Sequence, residues 1–528
     1  MELRRNPIVG CMFGGGPFDG TARSRTDADI AEKIRSAVRR HADECFRDDV
    51  ATDPEMGHRR YAIIVDGDLG CTPRTVLAER LRISTRQYTR DQLQIRRRIV
   101  TLLRAGLPEM LRSAPALDVT PDPLCRAAVL AGLGMPNEAL AHIDDVVRTA
   151  NADATIVSAL CLRSAILSQH LGDHISSRST LRVAQSLCLR LAFKPDARIA
   201  EAEVGLAYAD LDTIFGQLAS ALERLQRALE LLAGPTTPDH RTRWLIARVA
   251  SRHAYVSQLA GDAHSAAESL QRSLEKYRTA AGVLSPDRAD FLILTAVVLN
   301  AFGNLSESSH YLREAALIAQ QNGLAVPGLL AKIFSGNLAL ACGEGAMSET
   351  LLSVTCGEAE RLGHTTIRSA ARLYLARCYL RQQRPRPARV LSHVEAALRL
   401  CPSGGPYWIY GKVTESCAKF LLGDLGAADE SARQADEAAA SAGCSVLRCS
   451  TLREAARVAY AQGRASDAKD LIFRAIDFGY AQRQMEQAAQ AHDVAAMITR
   501  DANHRTEATA LRRGRIPSAV TSSLPNHP

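Results

Sequence analysis

The chain has 528 residues, more than one hydrophobic core usually supports, so several domains or a repeat array are expected. Charged residues make up 23% and hydrophobic residues 46%, which excludes a largely disordered chain. The formal net charge is +8. The sequence contains no run of about eighteen apolar residues, so no membrane span is predicted. Thirteen cysteines without metal-ligand spacing favour reduced thiols in a cytoplasmic protein.

Residues 1–56 are predicted to form a flexible leader followed by one amphipathic helix. Gly14-Gly15-Gly16 neither follows a strand nor opens a helix, so this stretch favours a leader over a phosphate-binding loop. From Asp27 to Phe46, apolar residues recur along one helical face. Pro54 to Gly57 then predict an interruption before the next helix.

Residues 57–106 are predicted to form a small helical domain that carries almost all of the excess positive charge. Between His58 and Arg104, eleven arginines face four acidic residues, a local net charge of +7. A short basic segment of this kind suggests an acidic partner, with nucleic acid the first candidate. The apolar pattern predicts a first helix from Arg60 to Asp66 and a second from Arg74 to Leu81.

A third helix of this domain is marked by a capping box, in which Ser84 is followed three residues later by Gln87. The helix is predicted to run from Thr85 to about Leu103. Ala78, in the second helix, is small enough for the close contact that such helix pairs need. The side chains predicted to be buried are those of Val76, Leu77, Leu81, Tyr88 and Ile95.

The stretch from Val76 to Arg90 resembles the helix-turn-helix of bacterial transcriptional regulators, in which the second helix ends in Leu-x-Ile/Val-Ser and an Arg- and Thr-rich recognition helix follows. The turn residue that is usually Gly is Arg82 here. Arg enters the left-handed backbone region only at a cost of roughly 1 kcal/mol, so a different turn is expected. The resemblance implies a third helix in the major groove of double-stranded DNA, with contacts from Thr85, Arg86, Thr89, Arg90, Arg96 and Arg97. The alternative is a solvated basic helix that docks on an acidic surface of the repeats.

A linker with several prolines at 107–123 leads into a predicted repeat array at 124–515. Turn markers recur along the array, with a 40-residue step from Gly303 onward. Five residues after and seven residues before each marker the residue is small, and nine residues after it is usually large, except at Ser392, Ala432 and Arg512. The markers are Gly134, Gly172, Gly216, Gly261, Gly303, Gly343, Gln383, Gly423, Gly463 and Asn503.

These positions describe antiparallel helical hairpins. A first helix ends at the marker, where the chain turns, and small residues at two crossing points let a second helix return close beside it. The pattern resembles the tetratricopeptide repeat over about ten units, with a step longer than the usual thirty-four residues. The resemblance implies an all-α, tetratricopeptide-like helical-hairpin solenoid, preceded here by the small helix-turn-helix domain. The last unit suits a solvent-facing cap, and residues 516–528 a disordered tail.

A solenoid of this kind presents a concave surface lined by the first helix of each hairpin. Polar and aromatic side chains six or three residues before the turn would face it and suit the capture of an extended peptide or protein segment. The candidate ligand-binding residues are Tyr255, Gln258, Asn300, Asn337, Arg377 and Arg457. Each of them is also compatible with an ordinary surface position.

No catalytic motif is present in the sequence, because G-x-x-x-x-G-K-[ST], HExxH and G-x-S-x-G are all missing. Neither an enzyme, a metal site, a cofactor nor a membrane partner is therefore predicted. The sequence favours a cytoplasmic DNA-binding transcriptional regulator whose solenoid binds a controlling peptide, a protein or a second copy in a homodimer. The alternative is a tetratricopeptide scaffold or adaptor for protein–protein interaction without DNA contact.

Overall fold

The computed structural model describes residues 42–43, 45–47, 49–51, 53–65, 74–88, 90–92, 94–95, 124–191, 196–233, 238–280, 285–482 and 484–512. All regular structure within these residues is helical, and none of them lies in a strand. The chain forms two compact units. The first is Met1–Asp122 together with Leu317–Leu324, and the second is Pro123–Ala316 together with Ala325–Pro528.

Among its described residues, the N-terminal part of the first unit is helical. Helical residues at 42–43, 45–47 and 49–51 precede α1 (Pro54–Ala62), which continues to residue 65 as a wider π turn. Next come α2 (Arg74–Arg80) and further helical residues at 85–88, 90–92 and 94–95. Of the amphipathic helix predicted from Asp27 to Phe46, residues 27–41 lie outside the described part of the chain.

The interruption predicted at Pro54 to Gly57 is wrong. Asp53 caps α1 by accepting the backbone N–H of Met56 at 3.0 Å, and Pro54 takes the first helical position, where no N–H is needed. Gly57 is buried inside α1, where an added Cβ would lie 2.6 Å from a methyl of Val50. The glycine therefore permits a close helix contact and does not form a turn.

A small apolar core holds α1, α2 and the residues that follow together. It consists of Ile63, Leu77, Ala78 and Tyr88, with Leu81 and Ile83 packed around it. The predicted burial of Leu77 and Tyr88 is confirmed, as is that of Ile95. The predicted burial of Val76 is wrong, because its side chain is 54% exposed. One step along a helix turns a side chain by about 100°, so α2 presents Leu77 to the core and Val76 to solvent.

Ten antiparallel hairpins form the solenoid, each made of an A helix followed by a B helix. The first five are α3 (Cys125–Gly132) with α4 (Pro136–Thr149), α5 (Asp153–Ala165) with α6 (His174–Arg190), α7 (Ala197–Ile214) with α8 (Leu218–Leu232), α9 (His240–Ala260) with α10 (Ala263–Thr279), and α11 (Ser285–Ala301) with α12 (Leu305–Gln321). The last five are α13 (Ala325–Ala341) with α14 (Gly345–Leu362), α15 (Thr365–Leu380) with α16 (Pro387–Leu398), α17 (Pro406–Leu421) with α18 (Leu425–Ser441), α19 (Ser445–Ala461) with α20 (Ala465–Ala481), and α21 (Met485–Thr499) with α22 (Asn503–Arg512). The predicted tetratricopeptide-like solenoid is confirmed.

The A and B helices of a hairpin cross at small, buried side chains. At two of these crossings the small residue is a serine whose hydroxyl donates to a carbonyl oxygen of the facing helix. Ser308 Oγ donates to Ala296 at 2.8 Å, and Ser416 Oγ donates to Ala428 at 2.8 Å. These buried hydroxyls are therefore satisfied without separating the helices. In hairpin 6 the contact is tighter still.

Replacing Gly336 with alanine should destabilise hairpin 6, because the new Cβ would lie 2.7 Å from Cγ of the buried Leu352. We expect Gly336→Ala to lower the free energy of unfolding by about 1–3 kcal/mol, as in other overpacked cores. The matched control is Gly357→Ala on the adjacent α14, where an added Cβ meets nothing within 4 Å. The control should gain about 0.5–1 kcal/mol from helix propensity. Urea unfolding of the full chain measures both, and equal effects would contradict the predicted crossing point.

Hairpin 7 departs from the predicted spacing. Its turn is longer than the others, and α16 begins only at Pro387. The small crossing position predicted at Ala388 is therefore wrong, since that residue is exposed, and Ser392, where the large residue of the pattern is missing, is exposed as well. Val390 and Val394, each two residues further on, are buried in their place. Two extra turn residues account for the shift.

Hairpin 2 shifts its crossing point by one residue. The segment Ile166–Leu171 is a π-helix, which holds more residues per turn than an α-helix. Ala165, the small residue expected at the crossing, is only half-buried. Ser164 is buried instead, with its hydroxyl 2.7 Å from the hydroxyl of Ser177 on the facing helix. The wider turn thus moves a serine pair into the contact.

Hairpin 10 turns at Arg500 and not at the predicted Asn503. Arg500 has a left-handed φ of 60°, and Asn503 is the first residue of α22. Leu511 and Ala508 fill the last core positions, so Arg512, predicted at a core position, is exposed. Residues 513–528, which include the predicted tail, lie outside the described part of the chain.

One stretch of the described residues, Asp153–Leu171, has the length and apolar composition of a membrane-crossing helix, with a mean hydropathy of 1.2. This stretch consists of α5 and the π-helix of hairpin 2. Within the solenoid, 44% of its apolar window is buried. Its side chains pack against the neighbouring hairpins, which is typical of a core helix.

The solenoid coils so tightly that hairpins five positions apart touch. An added Cβ at Gly134 would overlap Leu362, at Gly172 it would lie 3.1 Å from Thr365, and at Gly216 it would overlap the carbonyl oxygen of Gly404. Thr366 Oγ1 also donates to the carbonyl of Gln169 at 3.0 Å. One continuous apolar core further joins α9 to α18. Hairpins 1–4 therefore stack on hairpins 6–9.

Replacing Gly216 with alanine should test this stacking. Gly216 and Gly423 both have a left-handed φ, of 73° and 83°, so alanine at either position costs roughly 1 kcal/mol. Only at Gly216 does the added methyl meet the next layer, whereas nothing lies within 4 Å at Gly423. We expect Gly216→Ala to lower the free energy of unfolding by about 1–3 kcal/mol beyond that cost, as in overpacked cores. Thermal and urea unfolding compare the variants, and equal losses would rule out the predicted layer contact.

Candidate functional site

The turn after α2 is closed by backbone hydrogen bonds and contains Arg82 in a left-handed conformation, with φ 54°. The N–H of Arg82 donates to the carbonyl of Glu79 at 3.0 Å, and the N–H of Ile83 donates to Ala78 at 3.0 Å. Ile83 also packs on the apolar core. The expectation that arginine would force a different turn is therefore wrong. Local hydrogen bonds and this apolar contact hold a non-glycine residue in the conformation that glycine usually takes.

The helical residues after the turn begin at the N-cap Ser84, whereas the side chain of Gln87, the reciprocal half of the predicted capping box, donates to Asp91 instead. Ser84 Oγ accepts the backbone N–H of Gln87 at 3.1 Å, as predicted. Three of the predicted DNA-binding residues, Thr85, Arg86 and Arg90, are exposed. The other three, Thr89, Arg96 and Arg97, lie outside the described residues.

Two arginines of the basic segment are used inside the unit. Arg59 Nε donates to the buried Asp91 at 2.7 Å, and Gln87 Nε2 also donates to that carboxylate, at 2.9 Å. Arg60 pairs with Asp49 at 3.2 Å and with Gln94 Oε1 at 2.6 Å. These contacts tie α1 to the helical segments on either side of it. Among the described residues from 74 to 95, the exposed arginines are Arg80, Arg82, Arg86 and Arg90.

Replacing Arg82 with glycine should stabilise this part of the chain, because glycine adopts a positive φ without the steric cost that Cβ brings. We expect slower amide hydrogen exchange in residues 74–95, by about 1 kcal/mol of local opening free energy. Arg500→Gly is the matched control, since Arg500 is the second left-handed arginine among the described residues. It should slow exchange only near α21 and α22. Faster exchange at 74–95 in Arg82→Gly would show that the arginine side chain itself holds the turn.

The second candidate site is a cavity inside the solenoid, enclosed mainly by A helices. It consists of two adjoining chambers, of about 200 Å³ and 270 Å³, that share seven wall residues. The shared residues are Gln169, Asp210, Arg252, Asp290, Leu294, Leu330 and Thr366. They come from hairpins 2 to 7, so both stacked layers contribute to the wall.

Charged side chains concentrate at the junction of the two chambers. Arg252 Nε lies 2.6 Å from Asp210 Oδ1, and both groups line both chambers. Arg248, Asp287 and Asp290 complete the cluster. Burial among protein atoms, together with the like charge of Asp287, raises the pKa of Asp290 to about 7, although Arg252 and Arg248 oppose the shift. An added positive charge would therefore be favourable at this carboxyl.

Aromatic side chains line the larger chamber. The rings of Phe334 and Tyr374 have centroids 5.8 Å apart in an edge-to-face arrangement, and Tyr255, Tyr407 and Trp408 lie along the same wall. Burial raises the pKa of Tyr255 to about 12 and that of Tyr374 further. The phenols are therefore neutral at physiological pH and act as apolar surfaces that carry a hydroxyl.

Of the six predicted ligand-binding residues, Tyr255 lines the larger chamber. Asn337 and Arg377 contact each other instead, with Arg377 donating to Asn337 Oδ1 at 3.5 Å, and Arg377 also lies over the ring of Tyr410. Arg457 pairs with Glu454 at 3.0 Å and lies over Phe420. Gln258 and Asn300 are half-buried on the last turns of α9 and α11.

The sequence prediction missed most of the cavity wall, although its signal was present. Wall residues occur six, nine and thirteen residues before the turn glycine, a helical spacing that forms one stripe along each A helix. The prediction considered only the positions six and three residues before the turn. The stripe at earlier turns carries Arg252, Leu294 and Phe334 at nine residues, and Arg248, Asp290 and Leu330 at thirteen.

No protein-family model matches the chain, and no curated protein matches it. A chain of the crystal structure of the APC/C hetero-tetramer Cut9–Hcn1 is similar, with a TM-score of 0.50 and 13% identity over 94% of this chain and 88% of that chain. A Rap protein complexed with Competence and Sporulation Factor has a TM-score of 0.46 and 13% identity, over 74% of this chain and 98% of that chain. The human IFIT1 dimer with m7Gppp-AAAA has a TM-score of 0.43 and 13% identity, over 74% and 88%. The likeness to the Cut9–Hcn1 structure supports the helical-repeat fold alone.

Proposed function

We propose that this chain is a DNA-binding transcriptional regulator, without catalytic activity, whose helical-repeat solenoid binds a peptide or protein that controls it. One observation carries the DNA-binding part. Thr85, Arg86 and Arg90 are exposed on the helical residues that directly follow a closed left-handed turn, as in a helix-turn-helix. The proposed domain spans residues 57–106, and the proposed ligand-binding solenoid spans 124–515.

The geometry suits a recognition helix because its supporting face and its exposed face are distinct. Tyr88, Asp91 and Ile95 are buried against the rest of the unit. Arg86 and Arg90 are four residues apart, so they lie on one side of the helix and can reach neighbouring base pairs. A guanidinium pairs well with guanine O6 and N7, or with a phosphate. Thr89, Arg96 and Arg97 are proposed as further contacts of the same helix.

The solenoid suits ligand binding because its A helices enclose a cavity that combines charged and aromatic walls. A pocket of mainly apolar side chains with a few convergent polar groups is the usual form of a ligand site. The cavity draws its walls from hairpins in both layers. A bound segment would therefore contact several repeats at once, as repeat proteins commonly bind extended ligands.

A scaffold without DNA contact is the second candidate, and exposed apolar side chains on α6 favour it. Ile175 is 86% exposed and Leu189 is 77% exposed on this outer helix. They are fourteen residues apart, about 21 Å along the helix axis and on roughly the same side, so the helix carries exposed apolar groups near both ends. An exposed apolar stripe of this kind is one feature of protein–protein contact surfaces. A scaffold would need no exposed arginine on the turn and the following helix, so DNA binding separates the two functions.

The arginine variants Arg86→Ala and Arg90→Ala should weaken duplex binding while leaving the fold intact, since both side chains are exposed. A base contact would cost about 1–3 kcal/mol, and a phosphate contact would reduce the slope of log K against log salt by about 0.9. Fluorescence anisotropy with a mixed-sequence duplex, titrated over salt, measures both quantities. Arg148→Ala, at a residue 72% exposed on α4, removes the same charge from the solenoid and should bind like the unmodified chain.

A second comparison separates contact from folding. Asp91→Ala removes the buried partner of Arg59 and Gln87, so it should unfold the first unit and abolish binding together. Arg86→Ala should weaken binding alone, with unchanged circular dichroism and hydrogen exchange. No duplex affinity of the full chain at low salt would rule out the DNA-binding function and favour the scaffold.

A further inference from the structure

We propose that the solenoid cavity binds a cationic side chain, Arg or Lys, together with a neighbouring aromatic or aliphatic side chain of a short extended peptide. The inference rests on the proposed ligand-binding role of the solenoid and names the chemistry of that ligand. Four features of the cavity carry it: an unpaired carboxyl, an aromatic wall, unsatisfied polar atoms and the chamber sizes.

The charge of the cavity favours a cation. Three carboxyls, those of Asp210, Asp287 and Asp290, face two guanidiniums, those of Arg248 and Arg252. Arg252 is drawn to Asp210 at 2.6 Å. Asp290 lines both chambers and, among the described residues, takes part in no hydrogen bond or ion pair. A ligand cation at the junction would give this carboxyl a partner and leave the cluster neutral.

The aromatic wall belongs to the same chamber that Asp290 lines, and it suits the body of the ligand. Phe334, Tyr374, Tyr407 and Trp408 line the larger chamber, in which Asp290 also takes part. Aromatic faces attract guanidinium and ammonium groups, and they bury apolar side chains equally well. A basic residue beside an apolar one would thus satisfy the carboxyl and the rings together.

Unsatisfied polar atoms point to a ligand with hydrogen-bonding groups. Ser251 Oγ in the smaller chamber and His174 Nδ1 in the larger one are buried without a hydrogen-bond partner among the described residues. Buried polar atoms in folded proteins are nearly always paired. The N–H and C=O groups of an extended peptide backbone supply both a donor and an acceptor for them.

The chamber sizes suit two neighbouring side chains and the short stretch of peptide backbone that joins them. Each chamber, at about 200 Å³ and 270 Å³, lies below the range of about 300–1,000 Å³ that accommodates a drug-sized molecule. Two adjoining chambers that meet at Asp290 match two neighbouring side chains of one peptide. A folded partner domain cannot enter either of them.

The test uses the full chain with Trp244→Phe, which leaves Trp408 in the cavity wall as the single tryptophan. The probes are pools of N-acetylated, C-amidated hexapeptides without tryptophan, in which one position is fixed and the others are randomised. We expect changes in Trp408 emission with pools that fix Arg or Lys, strongest when the next position is aromatic or aliphatic. Pools that fix Asp or Glu should have no effect.

The peptide selected from these pools should lose at least about tenfold in affinity with Asp290→Asn, because its cation loses a charged partner inside the cavity. Asp145→Asn is the control, since Asp145 is 64% exposed on an outer helix and carries the same charge. Its affinity should be unchanged.

Three results would overturn the inference: enrichment of acidic peptides, no response to any pool, or an unchanged affinity with Asp290→Asn. Tryptamine is tested as a small-molecule probe, and its binding is measured by displacement of the selected peptide carrying a fluorescent label. If tryptamine binds as tightly as the best peptide, the cavity is a site for a free aromatic amine. Duplex binding is measured in parallel. If the peptides fail to bind but the duplex binds, the DNA-binding function stands and the peptide site is rejected. If the peptides bind but the duplex does not, the peptide site stands and the DNA-binding function is rejected.

Discussion

The close crossing of the A and B helices at small side chains is the contact on which the rest of the solenoid depends. Alanine, serine or glycine at these points lets two backbones approach within a groove that a larger side chain fills. Gly336 beneath Leu352 is the tightest example, and Ser308 and Ser416 show that a hydroxyl is tolerated when it bonds to the facing helix. Because nearly every hairpin keeps the same crossing, each adds a similar rotation to the next. A regular coil is the result.

The coil in turn creates both the layer contact and the cavity. Hairpins five positions apart meet through the turns of hairpins 1–4. There, Gly172 lies against Thr365 and Gly216 lies against Gly404. The A helices then face each other across the axis. Arg248 and Asp290 remain accessible in the space between them, although they lie deep in the solenoid. Charges so placed keep part of their hydration, which avoids the full desolvation cost of a buried ion pair.

Periodicity made the fold predictable from sequence, whereas contacts between distant residues were invisible to it. A small residue at a fixed offset from each turn identified ten hairpins, but nothing local distinguishes Gly216, which meets the next layer, from Gly423, which meets nothing. Arg59 and Asp91 are 32 residues apart, so their ion pair could not be inferred from spacing. The register errors have a different origin. A longer turn before Pro387 and the π-helix at Ile166–Leu171 each insert residues without an unmistakable sequence mark.

At the candidate DNA-binding site, the local sequence pattern predicted the N-cap and the exposed side chains correctly. It overestimated the effect of the turn residue Arg82 on the turn conformation. Ser84 caps the helix and Arg86 and Arg90 are exposed, because capping and helical spacing are local properties. The steric cost of a left-handed arginine is also a local property, but the contact that offsets this cost involves residues distant in sequence. Ile83 reaches the core formed by Ile63, Leu77 and Tyr88, and that apolar contact requires the turn. The cost of roughly 1 kcal/mol is offset by the partial burial of Ile83 together with the two backbone hydrogen bonds that close the turn.

The cavity lies where the two layers meet, so a ligand there acts on the stacking itself. Asp210, Arg252 and Asp290 come from hairpins 3 to 5, whereas Phe334, Tyr374 and Trp408 come from hairpins 6 to 8. A segment that contacts both sets gains its full binding free energy only while the layers are stacked. At a ligand concentration 100 times its dissociation constant, mass action then favours the stacked form by about 2.7 kcal/mol. This exceeds the roughly 1 kcal/mol cost of one left-handed non-glycine residue in a turn. Layer stacking is therefore the element of this fold that a ligand in the cavity is best placed to bias.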